Sequence, residues 1–321
     1  MLTQSELNNA LAHTVESTNV TGWDEKIEGK VRDIYTDGEQ RLLVTTDRIS
    51  AFDRILGTIP YKGQVLNQLT AWWFSQTRDL VSNHVLDYPD PNATLARTAV
   101  PLPVEVVVRG YITGVTKTSI WYLYEQGDHA PYGIPLPAGL RKYEQLPTPI
   151  ITPTTKAEKG GHDERLTHAE IVDNGILPAD LWQQVQDVAL KLFARGQEKA
   201  AEAGLILVDT KYEFGLVDGL LTLIDEIHTP DSSRFWIAAT YQENFDAGQS
   251  PENFDKEFLR KWYAAQGYRG DGTPPTMPDD FRVQVAERYI TAYEKLTGQT
   301  FVPGEQPATE RINRTLSITH H

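Results

Sequence analysis

Charged residues recur inside a segment, residues 205–234, that otherwise has the composition of buried β-strands. The charged positions inside or directly after the two apolar runs are Asp209, Lys211, Glu213, Asp225 and Glu226. The first three alternate along one run, so a strand would place their side chains on a single face. Each uncompensated charge beside an apolar core would cost on the order of several kcal/mol. The segment therefore predicts a counter-ion, and Mg²⁺ with a phosphate ligand is the favoured one.

Glu213 and Asp225 are the predicted metal ligands, and the pairing register of the two runs decides whether they can meet. A two-residue loop would set Glu226 opposite Lys211. A three-residue loop, residues 217–219, sets Asp225 there, diagonal to Glu213, and sends Glu226 to the other face. We predict the three-residue or bulged register. The competing interpretation is a solvated hairpin face with surface ion pairs.

Basic residues occur in two further segments that could bind anions. Lys30 and Arg32 follow Gly29 at a turn, and the backbone amides of such a turn can hold nucleotide phosphates. Arg109 ends a β-branched run and precedes Gly110, where a guanidinium can clamp a carboxylate or phosphate. A plain surface hairpin and a surface strand end are the respective alternatives.

Two more segments combine polar groups suited to ligands. Ser233 and Arg234 follow the acidic pair at 225–226 and could bind a phosphate or ribose hydroxyls. His162 and Asp163 lie in a glycine-rich acidic run that could close over a metal nucleotide or could be a solvated linker.

The composition limits the class of protein. The chain has 321 residues, of which 40% are hydrophobic and 23% charged, as in an ordinary globular protein. Its net charge of −14 argues against nucleic-acid binding, but not against small anions bound by locally clustered basic residues. There is no cysteine, no secretory leader pattern and no apolar run of membrane-spanning length. We therefore expect a cytoplasmic protein that binds neither nucleic acid nor membranes.

A short β-rich region followed by a clear helix and a buried strand predicts an α+β or α/β second domain, and we adopt α+β as the fold class. Short β-like pieces occupy residues 27–60, with a hairpin signal at Asp37-Gly38, and a strand is expected at 104–108. Residues 126–155 have the proline and glycine content of a loop, and the tail after 299 is polar. Helices are expected at 3–18, 64–82, 178–203, about 255–266 and 279–297. We place a domain boundary near residue 110, dividing the chain into 1–109 and 110–321.

Six motifs in fixed order resemble those of one family, the SAICAR (phosphoribosylaminoimidazole-succinocarboxamide) synthetases. They span about residues 27–290 and read GKVRDIY, TDRISAFD, VRGYITG, TPTTKAEKGGHDE, GLILVDTKYEFGL and DEIHTPDSSRFW. The resemblance implies an ATP-dependent ligase of purine biosynthesis that joins L-aspartate to carboxyaminoimidazole ribonucleotide (CAIR) through an acyl phosphate. It also implies a β-rich N-terminal domain like a protein-kinase small lobe and an ATP-grasp-like α+β domain, with ATP between them and Mg²⁺ as cofactor.

The resemblance also implies residue roles. Lys30 and Arg32 would bind ATP, Glu213 and Asp225 would hold Mg²⁺ with the nucleotide, and Lys211 would bridge ligand oxygens at the reacting centre. The CAIR ligands would be Arg109, Asp209, Ser233 and Arg234, and the loop near the metal nucleotide would contain His162 and Asp163. The chain departs from the family at Val115, where many relatives have serine, so a hydroxyl contact would have to come from Thr116, Thr118 or Ser119, or be absent.

Two other functions remain open at this point. One is a different small-molecule phosphotransferase, and the other is a non-catalytic nucleotide-binding protein of the same fold. Monomer and homodimer are both compatible with the sequence.

Overall fold

The computed structural model describes residues 2–52, 54–116, 118–156, 164–254 and 256–316. The helices within these ranges are α1 (Gln4–Ala10), α2 (Lys62–Gln76), α3 (Ile120–Glu125), α4 (His168–Asp173), α5 (Ala179–Glu202), α6 (Ala238–Asp246), α7 (Glu257–Ala265), α8 (Asp279–Thr297) and α9 (Ala308–Leu316). The strands are β1 (Glu25–Glu28), β2 (Arg32–Thr36), β3 (Gln40–Thr45), β4 (Arg48–Ala51), β5 (Arg54–Thr58), β6 (Val85–Asp90), β7 (Ala93–Arg97), β8 (Val100–Pro101), β9 (Val104–Tyr111), β10 (Gln145–Thr155), β11 (Leu205–Val217), β12 (Leu220–Ile224) and β13 (Ser233–Ile237).

The fold is mixed α/β, with two main antiparallel sheets. The first sheet has the order β1-β2-β3-β7-β6. The second has the order β10-β9-β11-β12, and both β13 and β8 also pair with β11. A separate hairpin joins β4 to β5. The 13-residue strand β11 is therefore the central element of the second sheet.

Helix α5 covers the second sheet because its apolar residues repeat at helical spacing. Val185, Leu192 and Phe193 are fully buried against that sheet. The helix ends at Glu202, and Gly204 takes a left-handed φ of +71°, which turns the chain directly into β11. The predicted helix at 178–203 is confirmed.

One prediction about an irregular segment is wrong in part. Residues 145–155, expected as loop, form β10, because a strand at the edge of a sheet tolerates prolines such as Pro147, Pro149 and Pro153. The polar tail contains α9, whose Ile312 and Leu316 are fully buried against the first sheet. The first helix is also shorter than expected, since α1 ends at Ala10 and a single 3-10 turn follows.

Strand β9 crosses the predicted domain boundary. It runs from Val104 to Tyr111 and pairs with both β10 and β11, so residues 109 and 110 lie inside a strand of the second sheet. The division into 1–109 and 110–321 stays a prediction. Among the described residues, no helix combines the length and apolarity needed to span a bilayer.

Candidate active site

Strand β11 carries the alternating charged residues past two cavities. Asp209 and Lys211 line one cavity and Glu213 lines the other. The Lys211 ammonium contacts the Glu213 carboxylate and lies 3.2 Å from Glu105 Oε1 and 4.0 Å from Asp225 Oδ2. Burial alone would lower the pKa of Lys211, but the surrounding carboxylates outweigh burial and raise it. Lys211 is therefore a fixed cation between the cavities.

The β11–β12 hairpin has the two-residue register, so the predicted three-residue loop is wrong. Val217 pairs with Leu220, and the loop residues Asp218 and Gly219 have φ values of +53° and +76°. Positive φ at both central positions is the geometry that gives a two-residue hairpin loop the twist of its strands. The Asp-Gly sequence favours this turn, whereas the predicted register was chosen to bring the carboxylates together.

Asp225 reaches the same cavity as Glu213 by a different route. Strand β12 ends at Ile224, and Asp225 takes a left-handed φ of +62°, so its side chain does not follow the alternation of the strand. Burial, opposed by Arg32 but reinforced by the charge of Glu213, raises the pKa of Asp225 to about 6. The two carboxylates therefore interact without being cross-strand partners.

Arg32 holds both acidic residues that follow β12. Its guanidinium contacts Asp225, and its Nη2 lies 3.3 Å from Glu226 Oε2. Glu226 also accepts a hydrogen bond from Thr229 Oγ1 at 2.8 Å. Glu226 thus shares Arg32 with Asp225 but is not among the residues that line the cavity beside Glu213 and Asp225, and its separate role stays a prediction.

A cavity of about 210 Å³ lies between the two sheets beside Glu213 and Asp225. Its apolar lining includes Val31, Ile34, Leu43, Ala99, Pro101 and Ile224, and its basic lining includes Lys30, Arg32, Arg41, Arg97 and Lys156. An apolar interior with a few charged groups is typical of small-ligand sites. We name this space the nucleotide cavity, since it suits a purine base and anionic phosphates.

The loop of residues 29–31, which lines the nucleotide cavity, is held by Arg48 and Thr46. Arg48 donates hydrogen bonds to the carbonyl oxygens of Gly29, at 2.9 Å, and Lys30, at 3.3 Å, and to Asp33 Oδ1 at 2.8 Å. The backbone and hydroxyl of Thr46 both donate to the Val31 carbonyl at 2.9 Å. The sequence signal was the alternation of acidic and basic residues in the TDRISAFD motif, which is typical of a salt-bridged turn, and Arg48 does form an ion pair, with Asp33.

A second cavity, of about 190 Å³, is lined by all of the predicted substrate ligands. Arg109 on β9, Asp209 on β11 and Arg234 on β13 are neighbours across three adjacent strands. Asp209 Oδ2 accepts from Arg109 Nη1 at 3.2 Å and from Arg234 Nη1 at 2.6 Å. Ser233 lies beside them and donates to Thr210 Oγ1 at 2.7 Å. We name this space the substrate cavity.

The substrate cavity also contains Lys256 and Arg260, which the sequence analysis missed. Both belong to the start of α7, far along the chain from β11, and no local pattern marked them. An adjoining cavity of about 180 Å³ shares Arg234 and Arg260 and is also lined by Gly114, Val115 and Thr116. Of the three hydroxyls considered in place of a serine at position 115, that of Thr116 belongs to a residue lining this space.

The carboxylates fit a magnesium ion that arrives with its nucleotide. Within the described residues, no group of three or more His, Asp or Glu side chains could hold a metal alone. Mg²⁺ is usually bound by one or two carboxylates, with waters and substrate phosphates completing its octahedron. Glu213 and Asp225 meet that requirement. His162 and Asp163 lie outside the described residues.

Comparison with known proteins gives consistent matches. The SAICAR synthetase family model matches residues 25–275. The chain is 51% identical over 294 residues to a putative phosphoribosylaminoimidazole-succinocarboxamide synthase 2 of Agrobacterium fabrum, covering 90% of this chain and 92% of that protein. It is 50% identical over 295 residues to the phosphoribosylaminoimidazole-succinocarboxamide synthase of Legionella pneumophila strain Paris, covering 90% and 93%.

A solved structure is also similar. The SAICAR synthase from Saccharomyces cerevisiae, complexed with SAICAR, aligns with a TM-score of 0.79 at 35% identity, covering 90% of this chain and 99% of that one.

Proposed function

Because the chain belongs to the SAICAR synthetase family, it is an ATP-dependent carbon–nitrogen ligase of purine biosynthesis, and we propose which of its residues perform the reaction. The reaction joins L-aspartate to CAIR and gives SAICAR, ADP and phosphate. A carboxylate is a poor acyl donor, because its charge repels nucleophiles and oxide is a poor leaving group. Transfer of the γ-phosphoryl group of ATP to the CAIR carboxylate makes an acyl phosphate. The amine of aspartate then attacks the acyl carbon, the amide bond forms, and phosphate leaves.

One observation supports the proposal most directly: a single strand borders both cavities. Asp209 and Lys211 line the substrate cavity, and Glu213, two positions further along β11, lines the nucleotide cavity. Phosphoryl transfer needs donor and acceptor held in fixed positions, since catalysis in such reactions is mainly positioning and electrostatic stabilisation. A rigid strand that borders both sites meets this need.

We assign ATP to the nucleotide cavity. Lys30 and Arg32 lie at its mouth, where they would contact the phosphates. Glu213 and Asp225 would hold Mg²⁺ together with phosphate oxygens. The ion, when bound, would neutralise charge on the transferring phosphoryl group. The metal itself is part of the proposal.

We assign Lys211 to the reacting centre and the arginine pair to CAIR. The raised pKa of Lys211 keeps it cationic, so its role is to stabilise anionic oxygens rather than to transfer a proton. Arg109 and Arg234 would bind the phosphate or carboxylate of the nucleotide, and Asp209 and Ser233 would bind its polar groups. His162 and Asp163 would belong to a loop that closes near the metal nucleotide.

The two-part description of the fold is also a proposal. The nucleotide cavity is lined by residues of both sheets, which supports ATP binding between a kinase-small-lobe-like part and an ATP-grasp-like part. A cytoplasmic location and a monomeric or homodimeric state remain predictions.

A turnover assay tests the function. The purified protein is given ATP, Mg²⁺, L-aspartate and CAIR, and each is omitted in turn. We expect SAICAR only when all are present, and phosphate release that depends on aspartate. A small-molecule kinase would form ADP without an amine, and a nucleotide-binding protein would form no product. Either result would contradict the proposal.

A further inference from the structure

A buried group of charged residues surrounds Asp231, and two of its members, Asp231 and Lys256, line the substrate cavity. Asp231 Oδ2 lies 2.9 Å from Lys62 Nζ and 2.9 Å from Lys256 Nζ, and Asp231 Oδ1 accepts a hydrogen bond from Tyr289 at 2.5 Å. Three elements of the chain, the start of α2, the start of α7 and α8, therefore meet at one carboxylate.

The two lysines differ in what they can reach. The Lys62 side chain is fully buried, whereas that of Lys256 is 12% exposed and lines the substrate cavity. Burial and the charge of Lys62 lower the pKa of Lys256, although Asp231 partly compensates. Lys62 and Lys256 share the negative charge of Asp231, so this carboxylate compensates the charge of Lys256 only in part.

Two groups of side chains therefore border the substrate cavity, and both have the same combination of charges. In one, Arg109 and Arg234 share Asp209, and in the other, Lys62 and Lys256 share Asp231. Each group has two cations and one carboxylate, so each contributes net positive charge that an anionic ligand can compensate. The first group is assigned to the nucleotide above. The second has no ligand assigned.

We propose that Lys256, held by Asp231 and backed by Lys62, binds a carboxylate of the amine co-substrate, an aminodicarboxylate, in the substrate cavity. The inference rests on the proposed function. It adds a binding residue and a location for the second substrate.

The position of Lys256 favours the amine substrate over the nucleotide. The amine must attack the acyl carbon beside Lys211, and Lys256 shares the cavity with Lys211. The backbone amide of Lys211 donates to the carbonyl of Ser232 at 3.0 Å, so the turn that carries Asp231 is directly connected to the reacting strand. The arginine pair lies on strands of the sheet, whereas Lys256 lies at the start of α7, so the two groups border the cavity from different elements.

Steady-state kinetics of K256M, with each substrate varied in turn, test the inference. Methionine keeps the length and the apolar stem but removes the charge. We expect the KM for aspartate to rise at least tenfold, with the KM values for ATP and CAIR changed less than about twofold. Succinate, which has two carboxylates and no amine, should inhibit K256M correspondingly less well.

K261M is the matched control. Lys261 lies on the same helix, is exposed, and bonds to Ser250 outside the substrate cavity. Its removal should leave all three KM values unchanged. If K256M does not fold, K256R provides the test, because arginine keeps the positive charge but places it elsewhere. For K256R we expect a severalfold rise in the KM for aspartate alone.

Several results would overturn the role of Lys256. They are a KM increase for CAIR instead of aspartate, an unchanged KM for aspartate, or an equal effect in K261M. Each requires a wild-type enzyme with aspartate-dependent turnover. If the wild type itself has no such turnover, the proposed function is wrong, and the two failures are therefore distinguishable.

Discussion

Glu213 forms ion pairs with two lysines. Its carboxylate contacts both Lys156 and Lys211. Burial would raise the pKa of Glu213, but the two ammonium groups dominate and lower it well below its usual range. Glu213 is therefore an anion at neutral pH, which is the state that a magnesium ligand requires.

We expect E213Q to lower kcat at least a hundredfold, because the amide has the same shape but no charge to hold a metal. The thermal midpoint should change by only a few degrees. E202Q, at an exposed residue that pairs with Lys199 on α5, is the control and should be fully active. Retention of kcat within about threefold in E213Q would exclude Glu213 as a metal ligand.

His228 makes stability depend on pH. It is fully buried, contacts the Trp73 ring and bonds to Tyr212, and burial lowers its pKa to about 3. In the unfolded chain the pKa is about 6.5, so the unfolded state takes up a proton first as the pH falls. The stability from this residue is therefore complete above about pH 6.5 and is lost progressively towards pH 3.

We expect the titration of His228 to lower the free energy of unfolding by about 2–3 kcal/mol when the pH falls from 7.5 to 4.5. Urea denaturation of the wild type and H228Q at both pH values measures it. H228Q should be less stable at pH 7.5, since it loses the Trp73 contact, but should lose less on acidification. Equal losses in the two proteins would show that His228 does not titrate with unfolding.

At the scale of elements, the loop of residues 29–31 depends on the adjoining strand β4. Arg48 at the start of β4 is 5% exposed and binds two loop carbonyls and Asp33. The loop backbone is thus held before any nucleotide arrives, which lowers the ordering cost of binding.

We expect R48M to raise the KM for ATP about tenfold, with a much smaller effect on the KM for aspartate. ADP titration by calorimetry should show the same loss of affinity. The control is R54M, since Arg54 lies on β5 of the same hairpin, is exposed, and bonds only at 3.3 Å to the Gly272 carbonyl among its described contacts. Similar ATP affinity in both variants would show that the loop does not need Arg48.

Regular amphipathic elements could be predicted from the sequence, and the exact geometry of the hairpin could not. Helix α5 and the β2–β3 hairpin follow from local periodicity and turn residues. The β11–β12 register was missed because we assumed that β12 continues through Asp225, whereas that residue leaves the strand with a left-handed φ. The grouping of Lys256 with β11 is a tertiary fact that no local pattern contains.

At the scale of the whole molecule, the C-terminal segment joins the first sheet to α2. Arg311 on α9 donates to Asp90 at 2.9 Å and 3.1 Å and to Asn92 at 2.6 Å, and is 6% exposed. Gln64 on α2 bonds to the backbone of Val302 and Gly304. The polar appearance of this tail concealed its role, because its buried residues are few and widely spaced.

We expect R311M to lower the free energy of unfolding by about 3–5 kcal/mol, since it leaves Asp90 buried without its partner. R314M is the matched control, because Arg314 on the same helix forms an exposed ion pair with Glu305, and such pairs contribute about 0–1 kcal/mol. Chemical denaturation measures both. Equal effects would mean that α9 contributes no more than an ordinary surface helix.

The central position of β11 has a consequence for how the protein can vary. Asp209, Lys211 and Glu213 share a face only because each lies two positions from the next along the strand. Insertion or deletion of one residue between 209 and 213 would reverse the face of everything beyond it, and the acceptor and donor sites would lose their common strand. Loops around the site can change length without this penalty. Descendants of this chain are therefore free to remodel the loops around the two cavities, but not the number of residues between the proposed binding sites on β11.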